Sequence, residues 1–182
     1  MTDLIADLRN WAAGRWWWWR ALLLLFLAWD GVAHLRDPEE GGIFAGITFG
    51  VHEFGHLLFA FGGETLAILG GSLNQVLIPI GAGALMFYYR DYFGIAVAGT
   101  WLSSSLMDMA RYVADSRVFE LDLVGFGEDV GHDWAYLLGH WGLLSHDLQI
   151  AGGLRFAALL LLLGSLGFGG WVCSLMWRPR TG

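Results

Sequence analysis

Apolar runs long enough to cross a bilayer recur along this chain, and they leave little polar sequence from which to build a separate soluble domain. A spanning helix needs roughly 20 predominantly apolar residues at about 1.5 Å rise each. Runs near residues 20–35, 42–63, 65–89, 91–114 and 150–177 approach or exceed that length. Hydrophobic residues make up 56% of the chain and charged residues 15%, against about 45–50% and 25% in soluble domains. The expected fold class is therefore all-α. The 182 residues read as one membrane domain, a polytopic transmembrane helical bundle of about five to six spans. A net charge of −7 argues against a nucleic-acid partner and leaves the lipid bilayer as the expected surroundings.

The rest of the chain fits around these runs. Residues 1–15 place Leu4, Ile5, Leu8, Trp11 and Ala12 at helical spacing, which predicts an amphipathic helix on the membrane surface. Trp16 to Trp19 predict an aromatic belt at the headgroup level. The first run follows Arg15 and lacks a small-residue cleavage site, so it reads as a retained span rather than a signal peptide. Arg36-Asp37-Pro38-Glu39-Glu40 should end it. The third run contains Pro79 and several glycines, which membrane helices tolerate where neighbours satisfy the backbone. The fourth is small and polar at its centre (Gly99, Thr100, Ser103, Ser104, Ser105) and should face another helix. Residues 115–149 hold an acidic loop and a short interfacial or re-entrant helix at 134–145, and the last span closes at Trp177-Arg178-Pro179-Arg180. Arg9, Arg15 and Arg20 favour a cytoplasmic N-terminus, but Arg178 and Arg180 oppose it if the spans number five.

Within the second run stands His52-Glu53-Phe54-Gly55-His56. Two histidines four apart lie on one helical face, one turn from each other, so both imidazoles can reach one tetrahedral ion. Glu53 lies beside them, where it can take a proton from water on zinc, whose pKa the ion lowers to about 7. An ionisable group at mid-membrane costs several kcal/mol, so a His-Glu-His cluster there points to function. The alternatives are a metal-free polar packing cluster and a haem site. Two histidines one turn apart cannot both ligate one haem axially, and haem leaves Glu53 unexplained.

Zinc needs a third protein ligand. Asp108 is the expected one: His56 and Asp108 lie about 21 Å and about 25 Å along runs that point the same way. An ion pair with Arg111 is its plainer role. His132 and Asp133, at the start of the short helix, compete as ligands if that helix folds back over the ion. Otherwise they form a helix cap. Asn74 is the candidate to position a substrate carbonyl or stabilise an oxyanion, with an interhelical hydrogen bond as its alternative. His34, His140 and His146 read as interfacial, and Asp30 and Glu64 as snorkelling or paired.

On His52-Glu53-Phe54-Gly55-His56 within an apolar helix, a later aspartate and the Gly62-Gly63 turn, the chain resembles the site-2 protease family of intramembrane zinc metalloproteases. The likeness covers roughly residues 42–115, and only the HExGH element is specific. It implies zinc held by His52, His56 and Asp108, with Glu53 activating water. The chain departs from the family pattern at Asn74-Gln75, where Asn-Pro is usual, and at Leu106-Met107-Asp108-Met109, where Leu-Asp-Gly is usual. It also lacks a PDZ-like domain.

The leading expectation is a zinc-dependent endopeptidase of membrane-embedded protein substrates, in a bacterial inner membrane. The rival is a non-catalytic accessory subunit of a larger respiratory or photosynthetic membrane complex, suggested by the small size and the eleven tryptophans. A transporter is a poorer third, since no internal repeat is visible.

Overall fold

The computed structural model describes residues 4–37, 41–122 and 131–177. Among them every regular element is helical. In chain order these are α1 (Leu4–Ala12), α2 (Trp18–Arg36), α3 (Ala45–Phe59), α4 (Glu64–Tyr88), α5 (Tyr92–Ala114), α6 (Asp133–His140) and α7 (Asp147–Trp177). Short 3-10 turns at Ala60–Gly62 and Leu144–His146 lead into α4 and α7. The expected stops at Pro38-Glu39-Glu40 and at Arg178-Pro179-Arg180, and residues 123–130 of the acidic loop, lie outside the described residues.

Two segments, Glu64–Tyr88 and Leu144–Trp177, are long and apolar enough to cross a membrane. The others fall short for physical reasons. At 15 residues, α3 reaches about 22 Å, under the ~30 Å of a hydrocarbon core. Polar side chains interrupt α2 at Arg20, Asp30 and His34, and α5 at its serines, Asp108 and Arg111. Large apolar side chains nevertheless stand exposed on most of these helices, among them Leu25 and Trp29 on α2, Leu57 on α3, Leu85 on α4 and Leu163 on α7.

Helix α5 is the hub, packed along α7 and α4 and touching α2, α3 and α6. Its small residues make this possible: Thr100, Ser103, Ser104 and Ser105 are buried. Ser103 Oγ donates to the Ala158 carbonyl of α7 at 2.7 Å, and Gln75 of α4 donates to the Ser105 carbonyl at 2.7 Å. Buried polar groups thereby keep partners across the helices.

Helix α1 buries Leu8 and Ala12 against Tyr92, Val172 and Met176, so its apolar face meets protein at the ends of α5 and α7. Asp7 fixes it there, accepting from Arg90 and from the Tyr92 hydroxyl. Helices α3 and α4 form a tight hairpin. Gly63, with φ of +85°, makes the reversal in a left-handed conformation that glycine adopts without strain. Beyond α5, Asp115 accepts the backbone N–H groups of Glu120 and Leu121. Arg117 then grips the buried Asp147 with two hydrogen bonds of 2.7 Å, tying this segment to the start of α7.

Candidate metal centre

Helix α3 presents His52 and His56 on one face, their ring centroids 4.8 Å apart and nearly perpendicular. Each ring is oriented from α4. His56 Nδ1 lies 2.9 Å from the Ala67 carbonyl oxygen. A carbonyl only accepts, so Nδ1 carries the proton. His52 Nδ1 lies 2.9 Å from Gln75 Oε1, and the Gln75 amide nitrogen is already committed to the Ser105 carbonyl. That orientation makes Oε1 an acceptor and His52 Nδ1 again the donor. In their neutral form both imidazoles therefore carry the lone pair on Nε2, and the two Nε2 atoms face the same carboxylate oxygen.

At that point sits Asp133. Its Oδ2 is 3.1 Å from His52 Nε2 and 3.3 Å from His56 Nε2. The three ligand atoms lie within 4.8 Å of one another. Zinc–nitrogen and zinc–oxygen bonds of about 2.0–2.2 Å at the tetrahedral angle put neighbouring ligand atoms roughly 3.3 Å apart. The donor set thus fits zinc in type, and the two distances to the Asp133 oxygen fit it in spacing. Two lone pairs and a carboxylate oxygen repel unless a cation lies between them, either a metal ion or protons on the imidazoles. Outer-shell acceptors on both Nδ1 atoms are what metal-binding histidines ordinarily have.

Asp133 arrives as the first residue of α6, and three contacts place it. The Tyr112 hydroxyl accepts the Asp133 backbone N–H at 3.0 Å. His132 caps the helix, its Nδ1 accepting from the Ala135 N–H at 3.2 Å. Trp134 Nε1 donates to Ser72 Oγ of α4 at 3.1 Å. Burial works to raise the Asp133 carboxyl, but imidazoles that carry a proton at Nε2 outweigh it and hold it below the ordinary carboxylate range. Burial also pushes His132 below its ordinary value, against the partial opposition of Asp115.

The expected third ligand is elsewhere. Asp108 Oδ1 stands 3.0 Å from Nε2 of the buried His34, off the line of a good hydrogen bond. It lies outside the three-ligand cluster, and Asp133 stands where Asp108 was expected. His34 itself is buried, 2% exposed. His132 serves as the cap, not as a ligand. Asn74 is turned away as well: its amide donates to the Val51 carbonyl at 2.7 Å and ties α4 to α3.

The cluster opens into a cavity of about 1240 Å³ lined by Glu53, Glu64, Asp108 and Tyr112 together with His52, His56 and Asp133. Glu53 thus lines the same cavity as the ligand atoms.

Gly71 of α4 floors the site. A Cβ on it would stand 2.6 Å from His56 Nε2 and 2.7 Å from His52 Nε2. Any side chain there must push both imidazoles off the shared point. Gly71→Ala is expected to lower zinc affinity at least about tenfold, measured by competition with a chromogenic chelator. Unchanged affinity would mean that the rings are not seated against α4.

The site residues that sequence reasoning missed are Gln75, Gly71 and Tyr112. Gln75 alone left a signal, as a polar residue inside an apolar run. No protein-family model, curated protein or solved structure matches this chain.

Proposed function

We propose that this chain is a zinc-dependent endopeptidase that hydrolyses peptide bonds of membrane-embedded proteins. The reading rests on the convergence of the His52 and His56 Nε2 lone pairs and the Asp133 carboxylate on one point, beside Glu53 in an open cavity. Zinc held there would supply a Lewis acid and water acidified to near neutral pKa. The chain supplies the remainder. Glu53 accepts the proton of the attacking water and returns it to the departing amine, and the cavity admits an unwound stretch of substrate.

The membrane part of the reading draws on the two apolar helices of spanning length and on the exposed apolar side chains of α2, α3 and α7. Exposed apolar surface on this scale needs a non-aqueous neighbour. Helices α2 to α5 and α7 then act as five spans of a polytopic bundle in a bacterial inner membrane. The short α3 lies among its neighbours at a depth where water reaches it through the cavity.

The test is Glu53→Gln in detergent-purified protein, with zinc read by elemental mass spectrometry and cleavage read on a fluorogenic transmembrane peptide. Zinc is expected to stay at one per chain while the cleavage rate falls about 10²–10⁴-fold. Undiminished cleavage by the variant would refute the mechanism. A wild-type protein that holds zinc and cleaves nothing would favour the non-catalytic subunit of a larger membrane complex.

A further inference from the structure

With Asn74 committed to Val51, the proposed hydrolytic centre needs another donor for the oxygen that turns negative during attack on a peptide carbonyl. A preorganised donor of this kind is worth about 10²–10³ in rate. Few neutral donors line the cavity. Gln75 is engaged at both ends, by His52 and by the Ser105 carbonyl. The Tyr136 hydroxyl faces Thr65 at 3.5 Å.

Tyr112 differs from both. Its hydroxyl accepts the Asp133 N–H at 3.0 Å. An N–H takes no proton, so the phenolic hydrogen is not spent in that bond. Among the described residues no acceptor meets it. The bond fixes the oxygen beside the residue that carries the third ligand atom. The ring is held on two sides, tilted against His132 at 4.3 Å and edge-on to His52 at 6.2 Å. The oxygen is thus confined, and the side chain lies on the cavity wall with Glu53.

Resting on the endopeptidase reading, we infer that Tyr112 is a catalytic residue whose hydroxyl donates a hydrogen bond to the scissile carbonyl oxygen. The water oxygen bonds to the carbonyl carbon, and the carbonyl π pair moves onto its oxygen. The Tyr112 O–H stabilises that charge without surrendering its proton. Glu53 holds the proton taken from water and delivers it to the nitrogen as the C–N bond breaks.

The experiment is Tyr112→Phe beside Tyr136→Phe, which removes a hydroxyl from the same wall. Three quantities are read: zinc per chain, kcat and KM on the fluorogenic peptide, and Kd for N-phosphoryl-Leu-Phe, whose phosphoryl oxygens mimic the tetrahedral oxyanion. Because the variant also removes the acceptor of the Asp133 N–H, it is assayed at saturating zinc. There Tyr112→Phe is expected to hold one zinc per chain, lose about a hundredfold in kcat with KM within about twofold, and bind the phosphoryl peptide about a hundredfold more weakly. Tyr136→Phe is expected to match wild type within about twofold in all three. Tyr112→Phe that loses zinc, or that keeps kcat and phosphoryl-peptide affinity within threefold, overturns the inference while a Glu53-dependent wild-type activity leaves the endopeptidase reading standing. Absence of Glu53-dependent cleavage in wild type overturns both.

Discussion

Asp133→Ala is expected to take zinc from one per chain to none at micromolar protein, and cleavage with it, whereas Asp108→Ala keeps the metal. Removing Asp133 leaves two imidazoles on one helix face, since the described residues bring no other ligand atom into the cluster. Two ligands one turn apart do not close a tetrahedral site. Outer-shell changes alone cost 10–100-fold in affinity, so losing a ligand should exceed about a hundredfold. Asp108 faces the buried His34 and lies outside the three-ligand cluster. Its removal disturbs that pair and leaves the cluster untouched. Elemental mass spectrometry on the two variants decides the assignment: zinc lost from Asp108→Ala and retained by Asp133→Ala would reverse it.

The contrast between these aspartates shows what could be read from the chain. Periodicity and breakers marked where helices lie. Gly62-Gly63 and the polar step at Arg90-Asp91 separate α3, α4 and α5, and the structure turns at both places. The small polar centre of α5 also foretold its burial. Rise along a helix gave depth, and depth favoured Asp108. Which neighbour a side chain faces depends on azimuth, which changes by about 100° per residue. Asn74 and Gln75 are adjacent, yet the first turns to Val51 and the second to His52. Asp133 lies 81 residues from His52 and reaches it through the Tyr112 and Trp134 contacts of α6. No local pattern encodes those contacts. The motif itself was legible because two imidazoles and a carboxylate are costly in an apolar run whatever surrounds them.

Gly55→Val is expected to be the most disruptive single change outside the ligand set, although Gly55 carries no chemistry. A Cβ at Gly55 would stand 2.3 Å from the Gly70 carbonyl oxygen and 2.7 Å from Asn74 Cβ. In the reverse direction, a Cβ at Gly70 would stand 2.6 Å from the Gly55 carbonyl oxygen. The obstacles are mainly backbone, which cannot rotate aside, so α3 and α4 must separate. Separation strains the bonds that orient the site, Ala67 to His56, Gln75 to His52 and Asn74 to Val51. Overpacking costs about 1–3 kcal/mol, and each buried polar group left without a partner adds about 1–3 kcal/mol. A fall of about 10 °C in the thermal midpoint in detergent follows, at roughly 2–4 °C per kcal/mol for a chain of this size, together with loss of zinc. Gly46 and Gly50 supply the control, because a Cβ on either meets nothing within 4 Å. Alanine at those positions should leave both midpoint and zinc unchanged. If Gly55→Val behaved like them, α3 and α4 would not approach as closely as the site requires. If it fails as expected, the glycine inside His52-Glu53-Phe54-Gly55-His56 is there to bring two helices together, so that α4 can hold both imidazoles by their Nδ1 atoms.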